Sequence, residues 1–139
     1  MKIISHRGNL VGINKKLENN PNHILNVLAK FDVEVDVWFI DNKWFLGHDI
    51  PQYEVLFDFF KNNMWLHCKN LQACQQLSKT NLNWFWHEND KITLTSKGYI
   101  WAYPKIYVDN GITVEFDYLS SLPNNILGVC TDYPELYNE

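Results

Sequence analysis

Apolar residues along this chain fall into short blocks, some with strand-like alternation and some with helical spacing. Lys2–Ser5 predicts a first strand that ends at His6. Asn20–Pro21 supplies an N-cap followed by proline at the first helical position. Ile24, Leu25, Val27, Leu28 and Phe31 then follow at helical spacing. Asp32–Phe39 predicts a second strand. Asp41–Asn42 turns it, and Lys43–Leu46 runs back to Gly47-His48-Asp49. Tyr53, Leu56, Phe57 and Phe60 predict an amphipathic helix after Pro51. Met64–Cys68 predicts a third strand, and Asn70 caps a helix carrying Leu71, Cys74 and Leu77. Asn83–Trp86 predicts a fourth strand ending at His87. Beyond it the helical signal fades. The Thr-rich stretch Lys91–Lys97 reads as a loop or a single helical turn. Tyr99–Ala102, Ile106–Val108 and Ile126–Cys130 read as short strands.

Strands alternating with helices predict an α/β fold, a parallel sheet with helices outside. A closed (β/α) barrel typically needs about 250 residues, and this chain has 139. The expectation is therefore one domain over residues 1–139, a compact or trimmed (β/α) TIM-type barrel that is helix-poor in its second half. An open sheet is the alternative.

Composition narrows the class. Hydrophobic residues make up 46 % and charged residues 20 %, which fits a soluble globular chain and argues against disorder. No apolar run approaches the roughly 20 residues that span a bilayer. The start, MKIISHRGNL, lacks the long apolar core of a signal peptide, so a cytoplasmic location is expected. The net charge of −4, with no basic stripe, argues against a nucleic-acid partner. Cys68, Cys74 and Cys130 are odd in number and lack CxxC spacing, so they read as free thiols. Exposed-looking aromatics on a small domain make a homo-oligomer an open expectation. Arg7 is the only arginine among the twelve Lys and Arg residues, and it adjoins His6.

The candidate chemistry is positional. His6, His67 and His87 each close a predicted strand, and His48 closes the returning arm. In a parallel barrel the C-terminal strand ends gather on one face, where active sites are built. Satisfied imidazoles near strand ends are the plainer reading. His23 falls on a helix and is expected to be exposed. In Val33-Glu34-Val35-Asp36-Val37, alternation puts both carboxylates on one face. Side by side they repel and suffer desolvation. A divalent cation such as Mg²⁺ or Ca²⁺ offsets that cost, or pairing with Arg7 or Lys69 does. Trp84-Phe85-Trp86-His87 and Tyr99-Ile100-Trp101-Ala102-Tyr103 are dense in aromatics, which fill a core or form a ligand platform. His87 and Trp101 are placed on the rim.

Ser5-His6-Arg7-Gly8, Glu34-Val35-Asp36-Val37 and Gly47-His48-Asp49, in that order and at roughly those separations, resemble the signature of the glycerophosphodiester phosphodiesterase family. That family belongs to the phosphatidylinositol-phospholipase-C-like superfamily. Leu17-Glu18-Asn19-Asn20 resembles its Pro-Glu-Asn-Thr segment, without the Pro and Thr. Gly128-Val129-Cys130-Thr131-Asp132-Tyr133-Pro134 is similar to its barrel-closing strand. The likeness covers residues 1–70 and the far end, and it is poor in the middle. It implies a metal-dependent phosphodiesterase acting on a small phosphodiester, with His6 and His48 as acid and base. Arg7 and Lys69 would hold the phosphate, and Glu34 and Asp36 the cation. The family's third-strand glutamate is replaced by His67, so His67 or Glu88 would complete the metal site, and imidazole admits Mn²⁺ or Zn²⁺ beside Mg²⁺ or Ca²⁺. The competing readings are a non-catalytic barrel binding a phospho-ligand or sugar, and a phosphosugar-processing enzyme.

Overall fold

A computed structural model describes residues 1–138. Its strands are β1 (Lys2–His6), β2 (Asp32–Ile40), β3 (Lys43–Leu46), β4 (Tyr53–Val55), β5 (Met64–Cys68), β6 (Trp84–Trp86), β7 (Ile92–Leu94), β8 (Ile100–Ala102), β9 (Ile112–Glu115) and β10 (Gly128–Thr131). Its α-helices are α1 (Pro21–Val27) and α2 (Leu71–Leu77), and 3₁₀ turns lie at Phe57–Phe59 and Pro134–Tyr137. None of the helices among the described residues is long and apolar enough to cross a membrane. All three cysteines are free thiols.

The backbone of the fold is a parallel run in the order β6-β5-β2-β1-β10-β9-β8. β3 folds back on the far half of β2, β4 follows it, and β7 lies antiparallel to β8. α1 packs chiefly on β2, and α2 on β2, β5 and β6. Each begins at an asparagine whose side chain accepts from a first-turn N–H, Asn20 from His23 and Asn70 from Ala73.

Period-two alternation sorts the side chains. Val33, Val35, Val37, Met64 and Leu66 face the helices and pack with Ile24, Ala73 and Leu77. The other face carries Ile4, Trp65, Phe85, Trp101, Ile112, Val114 and Cys130 in a second cluster. The sheet curls around this second cluster until its ends meet. Phe85 on β6 and Trp101 on β8 have ring centroids 4.7 Å apart. Across the gap, the Ser96 N–H donates to the Trp84 carbonyl at 2.7 Å.

This corrects the expected TIM-type (β/α) barrel. The molecule is mostly β, a ten-stranded mixed sheet with two short α-helices. The expected run of strand–helix units stops after α2 because the later connections cannot hold helices. Only residues 103–111 join β8 to β9, and they include Pro104, whereas a helical crossover needs at least about 10–12 residues. The 116–127 link carries Ser120, Ser121, Pro123, Asn124 and Asn125, which favour turns. The helix expected over Tyr53–Phe60 is instead β4 and a 3₁₀ turn. Tyr53 and Val55 find antiparallel partners in Leu46 and Trp44, and pairing outweighs the helical spacing. The Thr-rich stretch contains β7, consistent with β-branched preference. Ile106–Val108 is irregular, and the strand lies just beyond it at β9.

Candidate functional site

Parallel strands place their C-terminal ends together, and the polar residues there are the continuation of the inner face. Ile4 leads to His6, Trp65 to His67, Phe85 to His87 and Cys130 to Asp132, each two positions on. Glu34 and Asp36 project from the same side of β2, opposite the valines. Above the apolar cluster opens a cavity of about 370 Å³. Its wall includes His6, His48, His67, His87, Arg7 and Lys69, with Glu34 between them. Four of the five histidines thus share one cavity. In an acidic chain, this is a local concentration of cationic and proton-carrying groups.

Asp132 fixes His6. Its Oδ1 accepts from His6 Nδ1 at 2.7 Å and from Asn9 Nδ2 at 2.8 Å. A carboxylate only accepts, so Nδ1 carries hydrogen and Nε2 is turned to Glu34 Oε2, 3.8 Å away. Burial pulls the His6 pKa down, but the Asp132 hydrogen bond and the Glu34 charge outweigh it, and the pKa rises above the ordinary value.

Asp36 is fully buried and held on every side. Asn19 donates to its Oδ2 at 2.9 Å and accepts from its backbone N–H at 3.0 Å. Arg7 Nε lies 3.2 Å from Oδ2, and His67 Nδ1 lies 3.3 Å from Oδ1. Burial alone would raise its pKa. His67, Arg7 and Asn19 instead hold the carboxyl well below the usual range. His67 responds in the opposite sense. Burial lowers its pKa, but Asp36 and Glu34 push it up to about 9. Arg7 adopts a left-handed backbone, φ 57°, and its guanidinium also meets Glu18 at 3.3 Å. Such a conformation costs on the order of 1 kcal/mol or more and persists where surroundings enforce it. Here the Arg7 N–H bonds the Glu34 carbonyl, and the Arg7 carbonyl accepts from Asn19.

His48 stands apart on the lip. It is 40 % exposed and bonded to Asp49 at 2.8 Å. The loop that carries it turns at Gly47, where a Cβ would fall 2.0 Å from the Ile50 carbonyl oxygen. A second groove, of about 530 Å³, shares Arg7 and His48 with this cavity and is also lined by Ile13 and Ile50. Lys69 lies on the cavity wall. His87 sits at the mouth with its ring stacked on Tyr103, centroids 3.7 Å apart. Glu88 is exposed and outside the carboxylate cluster. Trp101 lines the cavity from the apolar layer, where it is 1 % exposed.

The atoms that could hold a cation are Glu34, Asp36 and His67, whose ligand atoms lie within 4.8 Å of one another. Glu34 Oε2 and Asp36 Oδ1 are buried without hydrogen-bond partners, as a ligand pair would be. His67 Nε2 donates to the His87 carbonyl at 3.2 Å, which leaves Nδ1 for the carboxylates. Metal-bound histidines are typically oriented in this way. The set of two carboxylates and one imidazole therefore fits a divalent cation, and the nitrogen favours Mn²⁺ or Zn²⁺ over Ca²⁺.

Of the residues expected at the site, His6, Arg7, Glu34, His48, His67, Lys69, His87, Glu88 and Trp101 line this cavity, and Asp36 is fully buried against His67. Sequence reasoning assigned no role to Asp132, Asn9, Glu18 or Asn19. The signal for Asp132 was its position one residue beyond a buried strand. No family model matches the chain, and neither does any curated protein or solved structure.

Proposed function

We propose that this protein is a phosphodiesterase that cleaves a small phosphodiester with the help of a divalent cation. The observation that carries the reading is His6. Its Nδ1 is anchored by a buried aspartate, and its Nε2 is presented to the cavity beside Glu34, Asp36 and His67. Arg7 and Lys69 supply positive charge for the phosphoryl oxygens, Arg7 through a fork suited to them. The motif order His6-Arg7, Glu34-x-Asp36 and Gly47-His48-Asp49 agrees with the family resemblance. A diester also has two arms, and two recesses meet at Arg7 and His48.

Glu34, Asp36 and His67 would hold the cation, which when bound neutralises charge building on the phosphoryl group. The rest falls to the chain itself. His6, kept protonated by Asp132 and Glu34, donates to the departing alkoxide. His48, with its ring partly in solvent, takes a proton from the attacking nucleophile. Asp132 holds the His6 ring in its tautomer and stabilises its charge. Proton transfer of this kind contributes about 10²–10⁴-fold.

Hydrolysis of a phosphodiester panel with Mg²⁺, Ca²⁺, Mn²⁺ or EDTA tests this. Turnover is expected only with metal, with a loss of about 10²-fold or more in His6→Ala. Absence of turnover with every metal, from folded protein, would overturn it.

One observation favours a second reading, a pocket that binds a phospho-ligand without turnover. Arg7 and His67 already neutralise Asp36 in the absence of a cation. On that reading binding persists in His48→Ala and no product forms.

A further inference from the structure

The groove that begins at Arg7 and His48 has a composition the proposed mechanism does not use. Nearly every polar side chain in its wall is already engaged within the protein. Glu18 divides its oxygens between Arg7 and Asn9. Both ends of the Asn19 amide are taken by Asp36. Asp49 is bonded to His48, and Gln52 donates to the Tyr53 hydroxyl. What the groove presents to a ligand is therefore mostly carbon. Ile13 and Ile50 both line it while 65 % and 62 % exposed. The Lys15 stem completes the wall, and a lysine in this setting keeps its ammonium in water.

Single exposed isoleucines are ordinary. Two that line one groove, with most of its polar side chains hydrogen-bonded within the protein, make a largely apolar recess. Its inner end is shared with the phosphate-facing cavity through Arg7 and His48.

We propose that this groove is a subsite for an aliphatic chain, and that the substrate is a single-chain amphiphilic phosphodiester. One ester arm lies in the histidine-lined cavity, and the alkyl or acyl chain of the other lies between Ile13 and Ile50. The inference rests on the proposed phosphate site, but it makes a separate prediction. Affinity should climb with chain length, and the climb should depend on two residues that touch neither the phosphate nor the cation cluster.

The test is calorimetric titration with alkyl phosphates from ethyl to octyl, below their micelle concentrations and with Mn²⁺ present. These ligands need no turnover. In the native protein each added methylene is expected to tighten binding by about two- to fourfold, the upper figure being that of a fully buried methylene. In the double variant Ile13→Ser, Ile50→Ser that dependence is expected to flatten. Both positions are exposed, so the core is left intact. A chain-length dependence that is absent in the native protein, or unchanged in the variant, would overturn the aliphatic subsite and leave the phosphate site standing. Failure of every alkyl phosphate to bind would overturn the phosphate site itself, and the subsite with it.

Discussion

At the scale of single residues, the site depends on Asp132 as much as on the histidine it holds. Asp132→Asn keeps the shape of the side chain and removes its charge. The amide can donate to His6 Nδ1, which selects the wrong tautomer and no longer stabilises an imidazolium. Loss of about 10²–10⁴-fold in kcat is expected, comparable to removing a general acid or base, with secondary structure unchanged by circular dichroism. His67 gives a second prediction, on stability. Its pKa is raised from the ordinary 6.5 to about 9 in the metal-free fold, where Asp36 and Glu34 favour the charged ring. A raised pKa stabilises the fold fully below pH 6.5, and that contribution disappears as pH climbs through 9. The EDTA-treated protein should therefore lose thermal stability between about pH 6.5 and 9, and His67→Gln should flatten that slope. A slope that is the same in His67→Gln would contradict the assignment. Most of these side chains were legible because alternation is local: Glu34 and Asp36 share a face in any strand, whatever sheet it joins. The role of Asp132 was not legible, because its contact with His6 spans 126 residues of sequence. The strand-end rule names the end of β8 without fixing depth: Trp101 lines the cavity from its buried layer, and Tyr103, two residues on, lines it as well.

At the scale of elements, the caps give a graded prediction. Asn20 caps α1 with one hydrogen bond. Asn70 caps α2, and it also exchanges hydrogen bonds with both the N–H and the carbonyl of Phe39 on β2. Asn20→Ala should cost about 1 kcal/mol. Asn70→Ala should cost about 2–3 kcal/mol, because the Phe39 groups lose their partner as well. Urea denaturation of the two variants checks the ordering, and equal costs would contradict the tie between α2 and β2. Both helices were legible from these asparagines and the spacing that follows them. The helix expected over Tyr53–Phe60 was not realised. Its apolar residues fit a helical face equally well, and only the antiparallel partner supplied by β3 decides for a strand. Short apolar runs carry this ambiguity whenever the partner is distant in sequence.

At the scale of the whole molecule, the parallel direction of the strands was readable from the first half, where α1 joins β1 to β2 and α2 joins β5 to β6. The second half was not readable. Among the described residues α-helices are absent there because its links are short or turn-rich, and the sheet curls by packing Trp65, Phe85 and Trp101 against one another. Aromatic content gave no hint of which way those rings would face. The functional consequence is that an apolar plug closes the bottom of the sheet. His6, His67, His87, Tyr103 and Phe116, each two positions beyond a residue of that plug, then line the same cavity. The most direct test of metal-dependent phosphodiester cleavage is the hydrolysis rate of metal-stripped protein before and after Mn²⁺ is added back, in the native chain and in His6→Ala. Activity that returns with Mn²⁺ in the native chain, and is at least about 10²-fold lower in the variant, is the predicted result. Hydrolysis indifferent to Mn²⁺ or to His6, or none from a folded native sample with any divalent cation, would contradict it.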